Sequence, residues 1–154
     1  MSIEVEVLRD VTDRDAAAIS RLLAQLSRSA PPLDAEAVRQ VATWKGNSLL
    51  AVRAGGEIIG ILTLVTFLIP TGLRAWIEDV VVDESARGQG VGAALTLEAI
   101  RLARAAGVRT IDLTTRPSRE AAGRLYERLG FELRDSRVYR LAESAGDDDG
   151  PSQP

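Results

Sequence analysis

The chain has 154 residues, of which 45% are hydrophobic, and it carries a formal net charge of −3. That length predicts one domain with a substantial core, and the near balance of acids and bases excludes the strongly basic surface of a nucleic-acid-binding protein. Because there is no His and no Cys, a Ser-His-Asp triad, a cysteine nucleophile and a conventional zinc site are excluded, and we expect no metal. Any catalysis must therefore use carboxylates, Tyr, Arg, hydroxyls and backbone dipoles.

The sequence has no hydrophobic run of membrane-spanning length and no signal-peptide pattern at its start. Together with the absence of cysteine, this favours a cytoplasmic protein with no membrane partner.

The first half of the chain predicts a strand, two helices and a hairpin. Residues 3–9 alternate apolar and polar side chains, which is typical of a half-buried strand. Thr12 or Asp13 caps a first helix, and Asp34 caps a second helix that stops near Gly46. Two β-type runs, 48–54 and 57–67, are joined by two glycines at 55 and 56, a hairpin signal.

The second half of the chain alternates strands and helices. We expect a central strand over residues 74–82, a helix over 91–106, a strand over 108–115, a helix from Ser118 to Leu129, and a bent strand or hairpin over 131–141. A crossover helix between two strands favours a parallel pair. Residues 1–141 then form the single domain, and residues 142–154, rich in Asp, Gly and Pro, form a disordered acidic tail.

A glycine-rich loop between the central strand and its helix predicts an anion site. Glycines at 88, 90 and 92 allow successive backbone N–H groups to converge, and the helix that follows adds its positive dipole end, so a phosphate fits there. A dinucleotide-binding loop is the alternative. However, such a loop follows its strand directly in the first βαβ unit, whereas here four residues intervene and the motif is in mid-chain.

These features together resemble the GCN5-related N-acetyltransferases. The loop Arg87-Gly88-Gln89-Gly90-Val91-Gly92 matches the family's Q/R-x-x-G-x-G/A signature, and the later L-Y-E-R-L-G-F run at 125–131 lies at a compatible distance. The resemblance implies a mixed α/β acyl-CoA N-acyltransferase fold: a central, mostly antiparallel sheet with a parallel pair splayed at the cofactor, and helices on both faces. The I-E-D-V-V-V run at 77–82 is also similar to glucosamine-6-phosphate N-acetyltransferases.

The resemblance also implies acetyl-CoA as co-substrate and assigns residue roles. The loop would hold the coenzyme through its backbone amides, and the strand before it would pair with the pantetheine arm. A carboxylate near the thioester accepts the amine's proton, and either Glu78 or Asp79 fits; since adjacent strand residues face opposite sides, we expect one of them to face the cleft. Tyr126 is the proton donor to the leaving thiolate. The expected cofactor-binding residues are Val80, Val81, Val82, Arg87, Gly88, Gln89, Gly90, Val91, Gly92 and Arg119, the last in place of the family's common Asn.

The implied function is transfer of acetyl from acetyl-CoA to a primary amine, by direct attack in a ternary complex. The alternative is a non-catalytic acyl-CoA-binding regulatory module of the same fold. The expected partner is a small-molecule or peptide amine, with no nucleic acid, and a homodimer fits the resemblance.

Overall fold

Five strands form one sheet in the order in which they occur along the chain. The structure is a computed structural model that describes residues 2–143. The strands are β1 (Val5–Val7), β2 (Asn47–Ala54), β3 (Glu57–Ile69), β4 (Gly72–Val82) and β5 (Thr110–Leu113). The first four pair antiparallel, and β4 pairs parallel with β5. The predicted mixed sheet with one parallel pair is confirmed.

Four α-helices cover the sheet: α1 (Asp13–Leu26), α2 (Ala35–Thr43), α3 (Val91–Ala106) and α4 (Glu120–Arg128). The predicted caps of the first two helices are confirmed. Thr12 caps α1 in a reciprocal capping box with Asp15, and the Asp34 carboxylate accepts a hydrogen bond from the Ala37 N–H at 2.8 Å. None of the helices within residues 2–143 has the length and apolarity needed to cross a membrane.

The two faces of the sheet belong to two apolar cores, because consecutive strand residues point in opposite directions. Leu49 and Ala51 of β2 pack with the residues of α1 and α2, whereas Leu50 and Val52 pack with those of α3. This places helices on both faces of the sheet, as predicted.

Helix α3 packs closely against the sheet at Gly60 of β3. A Cβ added to Gly60 would lie 2.9 Å from Val91 Cγ1 and 3.3 Å from Leu95 Cδ1, closer than side chains tolerate. Val91 is the first residue of α3. The missing side chain at Gly60 therefore allows the start of this helix to pack directly on the sheet.

The region after β5 differs from the prediction. Helix α4 begins after Arg119, not after Ser118, and no strand forms over residues 131–141. Strand β5 has only four residues, so its edge offers few backbone groups for pairing. Leu133, Tyr139 and Leu141 are between 87% and 94% exposed. Residues 144–154 of the predicted tail lie outside the described part of the chain.

Candidate active site

Strands β4 and β5 stay together for only part of their length. Their pairing runs from Arg74 opposite Thr110 to Ile77 opposite Leu113, where β5 ends. Strand β4 continues to Val82 with β3 on one side only among the described residues. The sheet is therefore open beside residues 78–82, which is the opening that a splayed pair produces.

A β-bulge lies in β4 at the start of this opening. Thr63 pairs with Glu78 and Ile61 pairs with Val81, so β4 carries one extra residue there, and Asp79 has a φ of 49°. The bulge changes which side chains share a face. Ala75 and Ile77 precede it and belong to the core beneath α3, and Val80 and Val82 continue that same core after it.

The glycine loop leads into α3 with no side-chain cap from the described residues. Gly88 and Gly90 have φ values of 78° and 88°, a left-handed backbone that favours glycine. Gly90 is the N-cap of α3, and a Cβ added at Gly88 would meet no atom within 4 Å. First-turn amides without a protein acceptor, beside open space, fit the pyrophosphate of a coenzyme.

One cleft of about 930 Å³ joins the loop to the open edge of β4. It is lined by residues from α1, β4, the loop, the start of α3, the segment after β5, α4 and the segment after α4. The lining includes Leu26, Glu78, Asp79, Val80, Val82, Arg87, Gly88, Gly90, Val91, Gly92, Thr114, Arg116, Arg119, Tyr126, Arg128, Val138 and Arg140.

Both carboxylates of the central strand line this cleft. The expectation that only one of them would do so is wrong, because the bulge at Asp79 interrupts the alternation of faces. Glu78 keeps solvent contact, but the cleft walls displace part of its hydration and raise its pKa, and the charge of Asp79 raises it further. A hydrogen bond from Trp76 and the charge of Arg140 lower the pKa and partly offset that rise.

Tyr126 of α4 also lines the cleft, and it is buried. Burial raises the pKa of its hydroxyl, and the charge of Arg119 opposes that rise. The ring packs edge-on against Phe131, with 5.8 Å between centroids and 67° between planes. The hydroxyl is therefore protonated at neutral pH and available as a donor.

Two predicted cofactor-binding residues do not line the cleft. The Val81 side chain is 6% exposed and packs in the core formed with α1 and α2. Gln89 turns back, and its Nε2 donates to the Ser85 carbonyl at 3.4 Å.

Sequence reasoning missed Val138 and Arg140, which line the cleft from the segment after α4. No motif marks them, and the pattern around them favoured a strand that does not form.

A family model described as the acetyltransferase (GNAT) family matches residues 18–131 of this chain. A glucosamine 6-phosphate N-acetyltransferase of Trypanosoma brucei brucei is 30% identical over 139 residues, which are 85% of this chain and 92% of that protein.

A mycothiol acetyltransferase of Nocardiopsis dassonvillei is 46% identical over 57 residues, 37% of this chain and only 17% of that longer protein. Among solved structures, a Trypanosoma brucei acetyltransferase superposes with a TM-score of 0.76 at 29% identity, covering 92% of this chain and 99% of its own. The chain therefore belongs to the GNAT family and is an acetyl-CoA-dependent N-acetyltransferase.

Proposed function

We propose that this protein transfers acetyl from acetyl-CoA to a primary amine by direct attack within a ternary complex. The observation that carries the proposal is the continuity of the cleft, which joins an uncapped helix start to two carboxylates and a buried tyrosine. A phosphate-binding end and a proton-transfer end in one cleft suit a coenzyme that spans both. The chain offers no Cys for an acyl-enzyme, which favours direct attack over a covalent intermediate.

The coenzyme end of the cleft is assigned to the loop and the start of α3. Backbone amides at Gly88, Gly90 and Gly92 bind the pyrophosphate, with the helix dipole adding to their attraction. Arg87 lines the same end of the cleft. The open edge of β4 over residues 80–82 binds the pantetheine arm through its backbone.

Glu78 is assigned as the general base. Its raised pKa brings it nearer to that of an amine than an ordinary carboxylate, so proton transfer from the acceptor costs less. Asp79 keeps that pKa high by like-charge repulsion and adds negative charge that attracts an incoming ammonium group.

Tyr126 is assigned as the general acid. The acceptor enters as an ammonium ion and gives one proton to Glu78 before its nitrogen attacks the thioester carbon. As the C–N bond forms, the nitrogen loses a second proton to water, and as the C–S bond breaks, the sulfur takes a proton from Tyr126, which water can replace. The tyrosine is then reprotonated, and one proton is released for each acetyl group transferred.

The relatives' names refer to different acceptors, so they support amine acetylation in general but select no single amine. One relative, at 30% identity over most of both chains, is named for an amino sugar phosphate. That makes amino sugars a reasonable first arm of an acceptor panel.

Thiol release from acetyl-CoA, measured against a panel of primary amines, tests the proposal. We expect turnover with at least one amine, and a fall in kcat of about a hundredfold for Glu78→Gln. Glu84→Gln is the matched control, because Glu84 lies in the short turn before the loop and does not line the cleft. Coenzyme binding without turnover on any amine would instead favour the regulatory module.

A further inference from the structure

More basic than acidic side chains line the cleft. Two acids, Glu78 and Asp79, face five arginines: Arg87, Arg116, Arg119, Arg128 and Arg140. Arg87 belongs to the glycine loop and Arg119 lies near Tyr126, where coenzyme phosphates and the thioester are expected. Arg140 comes from a separate part of the chain, the segment that follows α4.

Arg140 belongs to the end of the cleft where the acceptor is proposed to react. The pKa of Glu78 is raised by burial and by the charge of Asp79, and the charge of Arg140 opposes part of that rise, which places the guanidinium within electrostatic reach of the carboxyl. No ion pair joins the two side chains within residues 2–143, however. Both residues line the same cleft, so one ligand bound there can contact both.

Apolar residues also line this cleft. Val138 lies two residues before Arg140, and Leu26 reaches the cleft from the end of α1. The lining of the cleft thus combines a proton acceptor, a neighbouring acid, a guanidinium and apolar residues. A simple cation would be attracted by the acids and repelled by Arg140.

We infer that the acceptor carries an anionic group, a phosphate or a carboxylate, in the same molecule as its amine, and that Arg140 binds this group. The inference rests on the proposed function, since Glu78 fixes where the amine reacts. A guanidinium presents paired donors that match both anions in a bidentate arrangement. An amine with its own anion is therefore complementary to both charges, whereas a polyamine or another polycation matches only the acids.

Matched acceptors test the inference. Four small acceptors each carry one primary amine and differ in their second group. That group is a neutral hydroxyl in ethanolamine, a phosphate in O-phosphoethanolamine, a carboxylate in β-alanine and a second ammonium in 1,3-diaminopropane. Glucosamine and glucosamine 6-phosphate supply a larger pair. We expect wild-type kcat/KM to be at least tenfold higher for an anionic member than for its neutral counterpart, mainly through KM. The phosphate and carboxylate arms distinguish the two anions.

At a pH where Glu78 is ionised in both proteins, Arg140→Gln should remove that preference by lowering kcat/KM at least tenfold more for the anionic acceptor than for its neutral counterpart, because the bound anion loses its partner. Arg140→Glu should shift the preference towards the diamine. Arg137→Gln is the matched control, since Arg137 is exposed in the same segment and does not line the cleft. Calorimetry with coenzyme A checks that each variant remains folded and binds the coenzyme.

Equal loss on anionic and neutral acceptors in Arg140→Gln would overturn the inference, because Arg140 would then act only through Glu78. Wild-type preference for neutral or cationic acceptors would also overturn it while leaving the proposed function intact. Absence of turnover with every amine would overturn both.

Discussion

Glu78 and Asp79 are consecutive residues of one strand, yet both line the same cleft. Asp79 has a φ of 49°, and the pairing of β4 with β3 gains one residue at this point. Asp is one of the few residues other than Gly that adopts this backbone with little strain. The bulge thus brings a second negative charge beside Glu78, and this arrangement has a measurable consequence for the pH profile.

Removing the neighbouring charges of Glu78 should move the acidic limb of kcat/KM in opposite directions. Burial raises the pKa of Glu78 above its ordinary 4.5 and the charge of Asp79 raises it further, so Asp79→Asn should lower that pKa and move the limb to lower pH. Arg140 lowers it, so Arg140→Gln should move the limb to higher pH. Profiles with one acceptor isolate the enzyme's contribution, since the amine titrates identically throughout. Complete inactivity of Asp79→Asn would instead assign the base to Asp79.

Tyr126→Phe should reduce kcat by about a hundredfold while leaving the fold intact, because it removes the proposed donor and keeps the ring. The edge-on contact with Phe131 needs only that ring. Tyr139→Phe is the matched control, since Tyr139 is 88% exposed and does not line the cleft. Steady-state kinetics and melting temperatures of both variants check this, and unchanged turnover in Tyr126→Phe would exclude the hydroxyl as the acid.

The loop glycines should differ in their tolerance of alanine. Gly90 has a φ of 88°, so Gly90→Ala should distort the start of α3, cost about 1–2 kcal/mol of stability and weaken acetyl-CoA binding by tenfold or more. An added Cβ at Gly92 would meet only Leu125 Cδ2 at 3.7 Å and Val82 Cγ2 at 3.9 Å, which are ordinary contacts. The Gly92→Ala variant should therefore bind acetyl-CoA with an affinity within about twofold of that of the wild type, and calorimetry measures the affinities of both variants. Equal weakening in both variants would contradict the conformational explanation.

The free energy of unfolding should depend on pH through Asp15. This carboxylate is 5% exposed, accepts from Arg53 Nη1 at 2.8 Å, and has a pKa lowered below 3.8, chiefly by that hydrogen bond. A lowered pKa stabilises the fold above the ordinary value, and the effect is lost as pH falls through the lowered pKa. Asp15→Asn should lower the free energy of unfolding by about 2 kcal/mol at neutral pH. This is less than the loss expected on breaking a fully buried ion pair, because Arg53 is 31% exposed.

Urea unfolding from neutral to acidic pH measures this effect. The difference between wild type and Asp15→Asn should shrink as the pH falls below 3.8. Asp13→Asn, at the exposed start of the same helix, should change stability by less than about 0.5 kcal/mol. A difference that stays constant with pH would exclude the charge of Asp15 as its source.

Local patterns predicted the elements that have local causes. Thr12 and Asp34 cap helices because their side chains accept hydrogen bonds from backbone N–H groups three residues later, and the glycines at 55 and 56 form the turn between two strands. The loop glycines required only the known preference for left-handed backbone. These features could be predicted from the sequence because the interacting groups lie close together along the chain.

Features that depend on pairing across the sheet could not be predicted from the sequence. The bulge at Asp79 is set by the register of β3 against β4, and it changed which carboxylates share the cleft. The segment with Arg140 has the alternation of a strand, but residues 131–141 form no strand.

The contact between Gly60 and Val91 fixes the start of α3, and with it the proposed coenzyme site, against the sheet. Val91 lies between two of the loop glycines, and its side chain rests directly on β3. The amides at the start of α3 are therefore preorganised before any ligand arrives, and binding requires little ordering of this turn. Core substitutions beneath α3 should consequently alter the affinity for the coenzyme even where they contact none of it.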